Sequence, residues 1–336
     1  MQSFTGPQMI QILLSQPDSY RDVIEHLQSN GAHVTLIGPE KKTANIRKKK
    51  DILTSMLSPA LLRARGAWKR EDRVLVVGWQ ALPVLAMIKI GLLPRPKKLL
   101  LMACFIHGQR ARRVVNRLWR YLRFPGLGFI AFSQGEVRNL IEEVEMPASS
   151  VHFHLWRQEL DGQTDASAIT DEGYIFSGGF SNRDYDLLLA AKQDIDTPLM
   201  IVASEQNQID ASASIGTTVH RDLPEAAFEV LLAKSRVVAM PLLSQGEACG
   251  QSVLLRVLRN GKPLIATRHE AIEAYLGLAY PGFVPHGDVD AMRSALIRAL
   301  REPAFRASLS SDIVKAWQRL EKRNSPGEEI EQFLLS

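Results

Sequence analysis

The sequence predicts an α/β protein built from two doubly wound, Rossmann-like domains that face each other across a cleft. Three observations predict it. The chain has 336 residues, about twice the length of an ordinary domain. Short apolar runs alternate with helical stretches in both halves, the rhythm of parallel sheets covered on both faces. Between the two series lies a polar stretch, Trp156 to Glu172, that lacks an apolar period.

In the first half, Met9 to Leu14, His33 to Ile37, Arg73 to Val77, Lys98 to Ile106, Phe129 to Phe132 and Val151 to Leu155 read as strands. Helices are expected at Ser19 to Gln28, Ala81 to Ile90, Gln109 to Phe124 and Gly135 to Val144. The pair Asn30-Gly31 stops the first of them, because glycine tolerates the left-handed turn that ends a helix. In the second half the strands are Tyr174 to Ser177, Leu199 to Ala203, Val237 to Met240 and Pro263 to Ala266. Its helices are Asp184 to Lys192, Glu225 to Lys234, Gln251 to Arg259, Val289 to Arg301 and Asp312 to Lys322. The expected division is a first domain over 1–156, a linker over 157–172, and a second domain over 173–336 whose last helix packs back on the first.

The net charge of +5 hides an asymmetry. Residues 1–150 carry 23 Lys and Arg against 11 Asp and Glu, so the first half is strongly basic and the remainder acidic. A basic half implies an anionic partner, either nucleic acid or a membrane surface. Much of the charge sits in KKTANIRKKK, Lys41 to Lys50, and in QRARRVVNRLWRYLRF, Gln109 to Phe124. At about 100° per residue, the second segment puts Ala111, Val114, Val115, Leu118, Tyr121 and Leu122 on one arc, with Trp119 at its edge. Arg110, Arg112, Arg113, Arg117, Arg120 and Arg123 fall on the other. Such a helix can pack its apolar arc inward and turn Arg110, Arg113, Arg117 and Arg120 toward an anionic bilayer. No RNA-binding module signature accompanies it, so nucleic acid is not the expected partner. Two cysteines make no disulfide framework, and neither a signal peptide nor a spanning helix is read. The expected location is the cytoplasm, peripheral on the inner face of the membrane.

In open parallel sheets, ligands bind beyond the carboxyl ends of the strands. Two strand ends stand out. After Ser177 comes Gly178-Gly179-Phe180-Ser181-Asn182-Arg183, where paired glycines admit a phosphate close to the backbone and the arginine can grip it. After Met240 comes a polar loop, then Gly250-Gln251-Ser252-Val253 opening a helix. Unpaired N–H groups and the positive dipole end make a helix start an anion cradle that needs no metal. The chain has neither G-x-G-x-x-G after its first strand nor a P-loop, which argues against nicotinamide and P-loop ATP chemistry.

The segment CGQSVLLRVLRNGKPLIAT resembles the donor-site element of family 4 glycosyltransferases, of bacterial group 1 type and GT-B fold. YIFSGGFSNRDY is similar to the glycine-rich phosphate turn of a bacterial branch of that family. VLVVGWQALP, LLLMACFIHGQR and FSQGEVRNLIEE look like its acceptor domain. The resemblance runs from about residue 70 to residue 300. It implies a retaining, metal-independent glycosyltransferase of hexosyltransferase type. Such an enzyme moves sugar from a nucleotide diphosphate sugar to a lipid-linked or cell-surface polysaccharide acceptor, with no bound cofactor. By position it assigns donor binding to Gly178, Gly179, Ser181, Asn182, Arg183, Gly250, Gln251, Ser252, Val253 and Arg256, and catalytic roles to His107, Glu247 and Arg183. Two positions depart from the family. Arg256 stands where a ribose-binding Glu is usual, and Phe180 where this branch often has Arg. They open an alternative, a catalytically silent protein serving as partner of another glycosyltransferase.

Overall fold

The structure, a computed structural model, describes residues 10–14, 20–37, 59–78, 80–103, 109–157, 171–212, 214–243 and 249–336. The chain forms two compact units. One comprises Met1–Trp156 together with Asn324–Ser336, the other Arg157–Arg323.

The first unit holds a six-stranded, wholly parallel sheet in the order β2-β1-β3-β4-β5-β6. The strands are β1 (Ile10–Leu14), β2 (His33–Leu36), β3 (Arg73–Val77), β4 (Lys98–Met102), β5 (Leu127–Ala131) and β6 (Val151–Phe153). Its helices are α1 (Arg21–Ser29), α2 (Ala81–Lys89), α3 (Gln109–Leu122) and α4 (Gln134–Glu142). Alternate residues of the central strands face opposite sides, as the two-residue strand period requires. Leu13, Val74, Val76, Leu99, Leu101, Phe129 and Ala131 pack against α2, α3 and α4 through Val84, Leu85, Trp119, Leu122 and Leu140. The opposite face is covered by α1 and the last helix, α11 (Pro326–Leu335).

Helix α11 is tied down at several points. Its start carries a capping box of Ser325 and Glu328. His26 Nε2 lies 2.9 Å from Glu331, and His154 Nδ1 lies 2.7 Å from Glu329. His152 stacks on Phe333 at 4.5 Å, and Arg73 Nε donates to the Leu334 carbonyl at 2.8 Å. A Cβ on Gly327 would stand 2.4 Å from His26 Cβ, so only glycine lets α11 approach α1 this closely.

The second unit holds another all-parallel sheet, β12-β11-β10-β7-β8-β9. Its strands are β7 (Ile175–Gly178), β8 (Leu199–Ala203), β9 (Thr217–Arg221), β10 (Val237–Met240), β11 (Leu264–Thr267) and β12 (Phe283–Val284). The helices are α5 (Tyr185–Lys192), α6 (Glu225–Lys234), α7 (Gln251–Arg259), α8 (Glu270–Leu276), α9 (Val289–Arg301) and α10 (Pro303–Glu321). Chain order reverses between β7 and β10, so the topological switch point of this sheet lies between their carboxyl ends.

Several elements differ from expectation. Strand β9 is an edge strand with no buried residue, and β12 has two residues, so neither shows a buried apolar run. Helix α8 spans seven residues, too few for a helical period to declare itself. Helix α10 begins at Pro303, not Asp312, because proline suits the first helical turn, where its missing N–H costs nothing.

The face of α3 is also corrected. Its core contact centres on Val115, Asn116, Trp119 and Leu122, leaving Val114, Leu118 and Tyr121 exposed beside Arg113, Arg117 and Arg120. The predicted apolar arc is wider than the strip the sheet can cover, so half of it faces outward.

Candidate functional site

The switch point brings together the two segments singled out in the sequence. The loop after β7 and the loop after β10 run side by side. Arg183 and Leu242 form an antiparallel bridge. The Asp184 N–H donates to the Pro241 carbonyl at 3.2 Å, and the Leu243 N–H donates to the Asn182 carbonyl at 3.3 Å.

The β7 side is built on close packing. A Cβ on Gly178 would fall 2.5 Å from the Phe228 ring. Gly179 has φ +130, and a Cβ there would fall 2.4 Å from Nη2 of Arg183. The Arg183 side chain folds back over this turn and is buried. Its Nε donates to the Gly178 carbonyl at 2.9 Å and its Nη1 to the Ser181 carbonyl at 3.0 Å. No described carboxylate pairs with it, and the Gly178 and Ser181 carbonyl dipoles help offset the cation. Burial lowers its pKa, partly opposed by Tyr185 and Cys249, yet a guanidinium stays protonated. The Tyr185 hydroxyl donates to the Gly179 carbonyl at 2.7 Å, and burial pushes its pKa up to about 12. Asp184 caps α5 by accepting from the Leu187 N–H. Asn182 takes a left-handed φ of 54, and Phe180 is exposed.

The β10 side ends on Gly250, the N-cap of α7, with φ 81. Gly250 itself has no side chain with which to cap this start. The first intrahelical bond runs from the Leu254 N–H to the Gly250 carbonyl, so the Ser252 and Val253 amides head the helix and carry its positive pole. Gln251 and Val253 are buried, whereas Ser252 is exposed. A Cβ on Gly250 would meet Ile272 at 3.1 Å and Met240 at 3.2 Å.

Arg256 lies one turn further along α7 and points to α6. It pairs with Glu225 and, at 2.8 Å, with Glu229. Its Nη1 donates to the Ser252 carbonyl at 3.0 Å. Arg259 shares Glu229 at 3.2 Å. The charge of Arg256 is therefore committed to acids twenty-seven and thirty-one positions upstream, contacts that no spacing in the sequence announces.

A further trio was missed by sequence reasoning. Cys249 Sγ lies 3.4 Å from His269 Nε2 and accepts from Asn182 Nδ2 at 2.9 Å. His269 Nδ1 accepts the Ala271 N–H, which places the ring proton on Nε2, facing the sulfur. Cys249 stands inside the motif segment and was a legible signal; His269, in the loop after β11, carried none.

His107, Glu247 and the side chain of Arg110 lie outside the described residues. Arg113 and Arg117 are exposed without an ion pair to a described residue, whereas Arg120 pairs with Glu145 at 3.4 Å. Among the described residues, no group of three or more His, Cys, Asp or Glu side chains is placed to hold a metal ion. No described helix is long and apolar enough to cross a membrane.

No protein-family model matches the sequence, and no curated protein matches it. Solved structures do match. A sucrose-phosphate synthase from Thermosynechococcus elongatus superposes with a TM-score of 0.67 at 14% identity, over 98% of this chain and 97% of that one. An E. coli trehalose-6-phosphate structure bound with UDP-2-fluoro glucose gives 0.67 at 10% identity, over 97% and 98%. Anabaena HepE in complex with UDP and glucose gives 0.60 at 12% identity, over 94% and 99%. The chain thus has the α/β fold, with two parallel six-stranded sheets, of GT-B glycosyltransferase structures.

Proposed function

We propose that this chain is a retaining, metal-independent glycosyltransferase that takes sugar from a nucleotide diphosphate sugar. The observation that carries the reading is the switch point: a helix start whose N-cap, Gly250, brings no side chain, joined through Cys249 and Asn182 to the loop that follows Gly178-Gly179 and holds the buried Arg183. Similarity in fold to structures holding UDP with glucose or UDP-2-fluoro glucose supports it.

As the sugar–phosphate bond breaks, negative charge collects on the departing diphosphate. The Ser252 and Val253 amides and the α7 dipole stabilise that charge, and Arg183 adds a fixed positive potential from below. Preorganised donors of this kind each lower a barrier by about 3 kcal/mol. The resemblance supplies His107 and Glu247 for the acceptor and donor sugar. The acceptor is a lipid-linked or cell-surface polysaccharide intermediate. The outward face of α3, with Arg113 and Arg117 flanking exposed Val114, Leu118 and Tyr121, rests on the anionic inner face of the cytoplasmic membrane.

Calorimetric titration with UDP tests the donor site. The wild type should bind, and Ser252→Glu should bind at least tenfold more weakly. An acid in the first turn stabilises a helix while repelling a diphosphate, so the loss separates from misfolding. Equal binding by the two proteins, or none by the wild type, overturns the reading.

A second reading is favoured by Arg256. Its guanidinium, engaged by Glu225 and Glu229, occupies the position where the resemblance expects a ribose-binding carboxylate. The chain is then a catalytically silent partner of another glycosyltransferase. Sugar transfer by the purified chain alone excludes this reading.

A further inference from the structure

A concavity of about 260 Å³ opens at the amino-terminal ends of β3, β4 and β5, the ends opposite to those that bind ligands in such sheets. Arg73, Lys97, Lys98, Ser149, Ser150 and Ser336 line it, and no Asp or Glu side chain does. Arg73 and Lys98 are in register on adjacent parallel strands. Like charges side by side on neighbouring strands oppose sheet formation. Lys97 adds a third cation one residue away, and none of the three is ion-paired with a described residue.

The donors here are only partly used. Arg73 gives Nε and Nη2 to the carbonyls of Leu334 and Leu335, and Lys98 Nζ donates to the Ser336 hydroxyl at 3.1 Å. Lys97 Nζ and the hydroxyls of Ser149 and Ser150 make no hydrogen bond to a described residue. Burial, then the nearby Arg73 cation, lowers the pKa of Lys98. The pocket therefore holds unspent positive charge and unspent hydroxyl donors around one space.

We infer that this pocket binds a phosphate monoester. Three cations match a dianion, the two hydroxyls supply neutral donors, and the planar guanidinium suits a phosphate oxygen pair. The volume exceeds that of the phosphoryl group and leaves room for a small carbon moiety. Because Arg73 and Lys98 also hold the carboxyl-terminal end of α11, occupancy is coupled to the seating of that helix on the first unit. The pocket belongs to the first unit and the donor site to the second, so the inference does not rest on the transferase reading.

Thermal unfolding with inorganic phosphate or glucose 6-phosphate, against chloride at matched ionic strength, tests it. The midpoint should rise saturably with either phosphate and not with chloride. In Lys97→Ala/Lys98→Ala the apparent affinity should fall at least tenfold. In Ser149→Ala/Ser150→Ala, which keeps every charge and guards against a misfolded lysine variant, it should fall a few-fold. A phosphate response no larger than that of chloride, or one unchanged in both variants, overturns the inference. Co-sedimentation with phosphatidic acid vesicles separates the two sources of this chemistry. Loss of sedimentation in the lysine variant assigns a lipid headgroup, and unchanged sedimentation with a saturable phosphate response assigns a soluble ester.

Discussion

The guanidinium of Arg183 lies against the α-carbon of Gly179, so closely that a methyl group on that carbon would stand 2.4 Å from Nη2. The glycine and the arginine, four residues apart, form one object: a turn whose filling is a cation. Gly179→Ala is therefore expected to push the arginine out and to strain a backbone at φ +130. The two effects together should cost about 2 kcal/mol. Urea unfolding measures it, and a variant as stable as the wild type would show that the guanidinium moves aside freely.

The acids of α6 should be unequal partners of α7. Glu229 is buried and serves both Arg256 and Arg259, whereas Glu225 is largely exposed. Glu229→Ala removes an acid that both Arg256 and Arg259 share and leaves only the exposed Glu225 beside Arg256; it should cost about 3 kcal/mol. Glu225→Ala should cost less than about 1 kcal/mol. Chemical denaturation of the two variants compares them, and equal losses would contradict the difference in burial.

On α3, Arg113 and Arg117 carry unpaired, exposed charge, whereas Arg120 already faces Glu145. Each basic residue near an anionic surface contributes about 1 kcal/mol. Replacing Arg113 and Arg117 with Gln should therefore weaken binding to phosphatidylglycerol vesicles about thirtyfold. Arg120→Gln should do less. Sedimentation at two salt concentrations reads the effect, and a double variant that still binds fully would remove α3 from the membrane surface.

His152 sets a pH dependence. Burial, then the charge of Lys98, holds its pKa below the ordinary value of 6.5. The unfolded chain consequently binds the proton more readily than the folded one. Its stabilising contribution is complete above about pH 6.5 and is lost as pH falls from there toward the lower folded value. His152→Phe keeps a ring against Phe333 and removes the titration. Thermal midpoints from pH 8 to pH 5 should decline less steeply in this variant; parallel curves would assign the acid loss elsewhere.

Much of this architecture is written in local pattern. The buried strands at Leu99 to Met102 and Val237 to Met240 are continuous apolar runs, and the glycines at 178, 179 and 250 mark the loops that meet. What joins those loops is not local. The strand order that sets β7 beside β10 is a property of the folded sheet, and the bridge from Arg183 to Leu242 spans fifty-nine positions. Arg256 reads as a ligand-facing residue until α6 is packed beside it. The outward half of the α3 apolar arc escaped notice for a related reason: periodicity gives a helix its faces but not the width of what covers them.

The first unit is made of two stretches of chain, with the whole of the second unit inserted between them. During synthesis, β3 and β4 emerge long before α11, the helix that covers one of their faces. Part of that apolar surface stays bare at least while the second unit, Arg157–Arg323, leaves the ribosome, which takes roughly 10–30 s at typical elongation rates. The first unit therefore cannot close over its own sheet until the whole of the second has been made.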